Sequence, residues 1–97
     1  MPYAVIAVHD HPQRDTFSQQ EAFFAERILP TLVTMPGFRS GHWGYDAGPS
    51  RTHSFVVFET EADAQRLVDR IRTESAQPNP FGVALVSATV ARQTIAR

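Results

Sequence analysis

The chain opens on a short run of apolar and β-branched residues, YAVIAVH from Tyr3 to His9. So short and apolar a run predicts a first strand buried on both faces or nearly so. HPQRD (His11–Asp15) then breaks the pattern with polar residues and Pro12. Beyond the break, Phe24, Ile28, Leu32 and Met35 recur at helical spacing, with Phe17 one repeat earlier, and predict an amphipathic helix. Ser18 and Glu21 have capping-box spacing and predict its start. Pro30 has no N–H to donate and its ring clashes with the Glu26 carbonyl, so a kink or break is expected near Leu29. Met35-Pro36-Gly37 ends the helix, because Pro36 disfavours helical backbone at Met35 and Gly37 permits a sharp turn.

Phe38–Asp46 and Thr52–Thr60 read as two strands joined by a hairpin loop, AGPSR (Ala47–Arg51). Thr60 is the expected cap of a second helix, with Glu61 and Asp63 in its positive first turn. Ala64, Leu67, Val68 and Ile71 form its apolar face, opposite Arg66, Asp69, Arg70 and Arg72. SAQPNP (Ser75–Pro80) is a loop, and Phe81–Ile95 is a long strand-like segment. The order β-α-β-β-α-β predicts an α+β, ferredoxin-like sandwich over residues 1–97, a four-stranded antiparallel sheet with two helices on one face.

Charge and composition narrow the function. Nine basic residues, all Arg, balance ten acidic ones and are scattered, so no nucleic-acid surface is expected. With no Cys, disulfides, thiolate metal sites and a Cys nucleophile are excluded. The apolar N-terminal run is too short for a signal peptide core or a membrane span, which leads to the expectation of a cytoplasmic protein without membrane contact. A chain of 97 residues supports one modest core, so a pocket with walls borrowed from a second copy is expected. No phosphate loop, dinucleotide fingerprint or nucleophile elbow occurs.

The aromatic stretch GHWGYD (Gly41–Asp46) carries the candidate chemistry. Along a strand, Trp43 and Tyr45 share one face and His42 takes the other. A symmetric hairpin would set Trp43 opposite Phe55, Tyr45 opposite His53 and Arg39 opposite Glu59. The face with Phe38, Ser40, His42, Gly44, Ser54, Val56 and Phe58 is then expected to meet the helices. Trp43, Tyr45, His53, Phe55 and Val57 would face a second copy, an aromatic patch suited to a homodimer interface. His42, among small neighbours, is the candidate catalytic base, because imidazole is suited to taking a proton from a phenol or enol near neutral pH. His9, Trp43, Tyr45 and His53 are the candidate ligand-pocket residues. His9 and His11 alternate on one strand end and could share a metal, but no matching cluster accompanies them, and no metal site is assigned.

The helix, then LPTLVTMPGF, then a strand, then SFVVFETEADAQRL, resembles the antibiotic-biosynthesis-monooxygenase group of dimeric α/β-barrel proteins. The resemblance runs from Tyr3 to about Ile95 and rests on the Pro36-Gly37-Phe38 turn and the run Val57–Ala62. It implies two such sheets face to face across a two-fold axis, forming a barrel, with a cleft in each subunit between sheet and helices. It also implies a cofactor-free oxygenation of a phenol or quinol, with a small aromatic molecule as the partner. The haem-degrading branch resembles a pattern with an Asn on the first strand, a Trp, and a His on the second helix. Here the only Asn is Asn79, and Thr60–Glu74 has no His. Three readings stay open: a cofactor-free monooxygenase, a non-enzymatic binding or stress-related dimer, and a haem-binding protein using His9, His42 or His53.

Overall fold

The computed structural model describes residues 2–12, 16–46, 48 and 51–93, the Phe17 side chain excepted. Four strands, β1 (Tyr3–Asp10), β2 (Phe38–Tyr45), β3 (Arg51–Phe58) and β4 (Ala84–Arg92), form one antiparallel sheet in the order β2-β3-β1-β4. The helices connect strands that are not neighbours, which is the split βαβ arrangement expected. β1 holds the centre, pairing with β3 and β4 along its length. It buries Val5 and Ala7 under the helices and Ala4 on the opposite face, but Ile6 on that opposite face stays 39% exposed. The expectation of a strand covered on both faces therefore holds only in part within one chain.

The first helical region is three segments in sequence: α1 (Phe17–Phe23), a π turn (Phe24–Ile28) and α2 (Leu29–Val33). The Leu29 N–H reaches back to the Phe24 carbonyl, five residues away, just before Pro30. Pro30 offers no donor to the Glu26 carbonyl and crowds it, so the helix widens by one residue there. This is the break expected near Leu29. The expected capping box is not formed at Ser18, which lies inside α1. The helix begins two residues earlier, where Thr16 Oγ1 accepts from Gln20 Nε2 at 2.8 Å.

α3 (Glu61–Ser75) follows the sequence pattern closely. Thr60 caps it, its hydroxyl accepting from the Asp63 N–H at 3.1 Å. Ala64, Leu67 and Val68 are buried against Val5, Val56 and Phe58, and Leu32 of α2 completes the core. The last strand is shorter than expected at its start, since Asn79 Oδ1 accepts from the Phe81 N–H at 2.8 Å and holds that segment as a turn. Ala47, Pro49 and Ser50 of the expected hairpin loop, Gln13–Asp15 of the polar break and Thr94–Arg97 at the expected strand end lie outside the described residues.

The β2–β3 register corrects the symmetric hairpin. Phe38 faces Phe58, but Ser40 faces Val57, His42 faces Phe55, Trp43 faces Ser54 and Tyr45 faces Thr52. One extra residue, Arg39, is taken up between Phe38 and Ser40 as a bulge. Phe38 stays on the helix side, with its ring edge-to-face on Phe58 at 6.1 Å. Past the bulge every side chain changes face. Trp43 and Tyr45 therefore point toward the helices, while His42 lies with Phe55 and His53 on the open face. The expected Arg39–Glu59 pair survives across the bulge at 3.5 Å.

Gly37 has φ +78°, and a Cβ there would overlap the Asp63 carboxylate. Gly37→Ala is expected to destabilise the fold by about 1–3 kcal/mol, measured as a lower urea midpoint with unchanged slope. A midpoint within error of the parent would show that the turn relaxes without cost.

Candidate functional site

The helix-covered side of the sheet holds a cleft of about 650 Å³. Val5, Ala7, Ser54 and Val56 form its floor, the α1–π turn–α2 segment one wall and the last turns of α3 the other. Its lining surface is mostly apolar, with polar groups around the end of β1 and along the last turns of α3, the composition of a small-molecule site. Within the described residues no helix is long and apolar enough to cross a membrane, and no three His, Cys, Asp or Glu side chains converge as metal ligands.

Trp43 forms the aromatic wall. Its ring packs edge-to-face on Phe24 of the π turn, centroids 5.2 Å apart. The indole lies over Gly41, two residues back on the same face, where a Cβ would overlap its six-membered ring. Gly41 thus sets how deeply Trp43 lies against the sheet. Phe23 meets Phe81 edge-to-face at 6.1 Å and closes the end of the cleft between α1 and the turn before β4.

The polar end gathers around the last residues of β1. His11 is buried, with Nδ1 2.5 Å from Gln20 Oε1 and Nε2 2.8 Å from Thr52 Oγ1. Gln20 gives its amide N–H to Thr16, so its oxygen faces the ring and His11 Nδ1 is the donor. In the tautomer with its proton on Nδ1, the ring accepts the Thr52 hydroxyl proton at Nε2. Such bonds contribute about 1 kcal/mol each, and these tie α1 to β1 and β3. His9, half-buried, lines the cleft and makes no side-chain hydrogen bond among the described residues. Burial, and then the nearby His11, push its pKa below the ordinary imidazole value, which keeps it neutral at pH 7. Tyr45 lies edge-on to His11 at 6.1 Å. Partial burial, and then the Glu21 carboxylate that accepts its O–H, hold Tyr45 above the ordinary phenol range.

Of the residues singled out in the sequence, His9, Trp43 and Tyr45 line this cleft. His42 and His53 do not. They lie on the opposite sheet face around a shallow depression with Ile6 and Phe55. The bulge at Arg39 removes His42 from the helix side where sequence alternation placed it, so His9, His42 and His53 do not converge. Gly41, Gln20, Glu21 and Arg27 were not anticipated from the sequence. For Gly41, its spacing of two from Trp43 was the available signal.

Solved structures of other proteins share this fold, a four-stranded antiparallel sheet with its helices on one face. The chain is similar over 98% of its length to a monooxygenase-like protein of Shewanella loihica PV-4, covering 96% of that chain at TM-score 0.65 and 15% identity. It is similar to Rv0793 of Mycobacterium tuberculosis over 99% of this chain and 98% of that one, at TM-score 0.62 and 20% identity. It also resembles the monooxygenase from the ActVA-Orf6 gene of Streptomyces coelicolor, solved with nanaomycin D, over 98% and 91% of the two chains at TM-score 0.63 and 13% identity. At these identities the likeness is one of fold. The sequence matches no protein-family model and no curated protein sequence.

Two outcomes follow from the site. Gly41→Ala is expected to lift the Trp43 ring off the sheet and shift its emission to longer wavelength; unchanged emission would show that Gly41 does not set the ring. Because the folded pKa of His9 lies below its unfolded value, the unfolded chain binds more protons between those two values. Stability therefore falls as pH drops below about 6.5, and His9→Gln is expected to flatten that slope between about pH 7.5 and 5.5. Urea midpoints with equal slopes for both proteins would contradict it.

Proposed function

We propose that this chain is a small-molecule-binding homodimer whose helix-side cleft oxygenates an electron-rich phenol or quinol without a cofactor. The observation that carries this reading is the pairing of an apolar cleft, walled by Trp43 and Phe24, with an unengaged neutral imidazole, His9, at its polar end. An aromatic ring fits the apolar walls, and a phenol hydroxyl meets His9 or Tyr45. The fold shared with monooxygenases of other organisms supports the same reaction class.

His9 takes the phenol proton as general base, in the role that sequence alternation assigned to His42. The phenolate passes one electron to O₂, giving a phenoxyl radical and superoxide. These combine at a ring carbon that carries a hydrogen and lies ortho or para to the oxygen, and protonated His9 returns its proton to the peroxide. The resulting hydroperoxide loses water, leaving a quinone. One phenol and one O₂ thus become one quinone and one water, and no external reductant is consumed.

The open sheet face supports self-association. Ile6 and Phe55 are 39% and 40% exposed there, beside the buried Val57, and apolar residues at the middle of a sheet face are suited to a second copy. In this reading His42 and His53 belong to the contact between copies. Ile6→Arg is expected to convert a dimer, seen as twice the chain mass in light scattering, to monomer. A parent protein of single-chain mass at micromolar concentration would contradict the dimer.

The reaction is tested by incubating the protein with a panel of naphthols and hydroquinones while following O₂ uptake and quinone absorbance. One O₂ per quinone is expected, with kcat reduced about 10²–10⁴-fold in His9→Gln. Naphthol binding without O₂ uptake would instead favour a binding protein, and full turnover in His9→Gln would remove His9 from the mechanism.

A further inference from the structure

The charges along the cleft are not evenly answered. Besides the two histidines, its lining holds Glu21, Arg27, Arg70 and Glu74. Glu21 accepts the Tyr45 hydroxyl. Arg70 and Glu74, one turn apart on α3, pair at 2.9 Å. Arg27 makes no ion pair or side-chain hydrogen bond among the described residues. It comes from the π turn, whose Phe24 and Ile28 also line the cleft, and it is exposed, which puts this cation at the solvent-facing rim.

We infer that Arg27 recognises an acidic substituent, and that the cleft takes an aromatic carboxylic acid in its ionised form. The inference rests on the cleft being the ligand site, and it adds a substrate class to that reading. A guanidinium presents a planar fork of donors that matches a carboxylate. A neutral ligand would leave Arg27 to water alone, whereas a ring carrying a carboxylate fills the apolar walls and answers the cation at the rim. One unpaired cation, in a cleft whose lining also holds the carboxylates of Glu21 and Glu74, suits one negative charge better than the two of a phosphate monoester. With His9 at the polar end, the ligand class becomes a hydroxyaryl carboxylate.

Calorimetric titration of the full chain with 2-naphthol and with 6-hydroxy-2-naphthoic acid tests this. The two probes share the ring and hydroxyl and differ in the carboxylate. The acid is expected to bind about three- to tenfold more tightly than the neutral naphthol, an advantage that shrinks with added salt. Arg27→Gln is expected to abolish that advantage, and a far-UV dichroism spectrum matching the parent's reports that the variant is folded. Arg70→Gln, which removes a cation already paired, is expected to retain it. Equal binding of the two probes by the parent, an advantage that persists in Arg27→Gln, or equal losses in both variants would overturn the role of Arg27 while the cleft reading stands. Failure of both probes to bind would overturn the cleft reading and this inference together.

Discussion

Between Phe38 and Ser40 the β2–β3 ladder takes in one residue of β2 that β3 does not match, and the character of the site depends on it. Before the bulge the helix side receives Phe38, which completes the core against Phe58. After it, the same side receives Gly41, Trp43 and Tyr45. An unbroken ladder anchored at Phe38 would send His42 into the cleft and Trp43 to the open face. A single-residue insertion thus lets one strand supply core packing at one end and an aromatic cleft wall at the other.

The remaining parts of the cleft fit around that placement. Gly41 leaves room for the indole to lie close to the sheet, and the π turn before Pro30 brings Phe24 onto it. At the far end, the contact of His11 with Gln20 and Thr52 ties the start of α1 to the sheet. His9, next along the same face, is left without such partners among the described residues and is turned to the cleft. One imidazole is structural and its neighbour is available to a ligand, a division that alternation along β1 cannot express.

Much of the fold was legible because its signals are local. The Thr60 cap, the Ala64–Leu67–Val68–Ile71 stripe, the Pro30 break and the Met35-Pro36-Gly37 turn each follow from the chemistry of a few adjacent residues. The fold-level resemblance rested on these same pieces and agrees with the solved structures. The site was less legible because it depends on register. Trp43 and Tyr45 share one face, as alternation predicts, and His9 lines the cleft, but the side of the sheet that carries Trp43 and Tyr45 is the reverse of the one expected. A bulge at an Arg between Phe and Ser carries no propensity signature. Nor does sequence spacing reveal that Ser18 and Glu21 forgo a capping box while Gln20 binds His11.

The most direct test is where an aromatic ligand lands. Trp43 is the only tryptophan, so its indole N–H gives one assignable signal in a proton–nitrogen spectrum, and the histidine rings give others. On titration with 2-naphthol, the account predicts shifts at Trp43 and His9 and none at His42 and His53. Shifts at His42, His53 and the amide of Phe55, with Trp43 and His9 unmoved, would place the ligand on the open sheet face and contradict the cleft as the functional site.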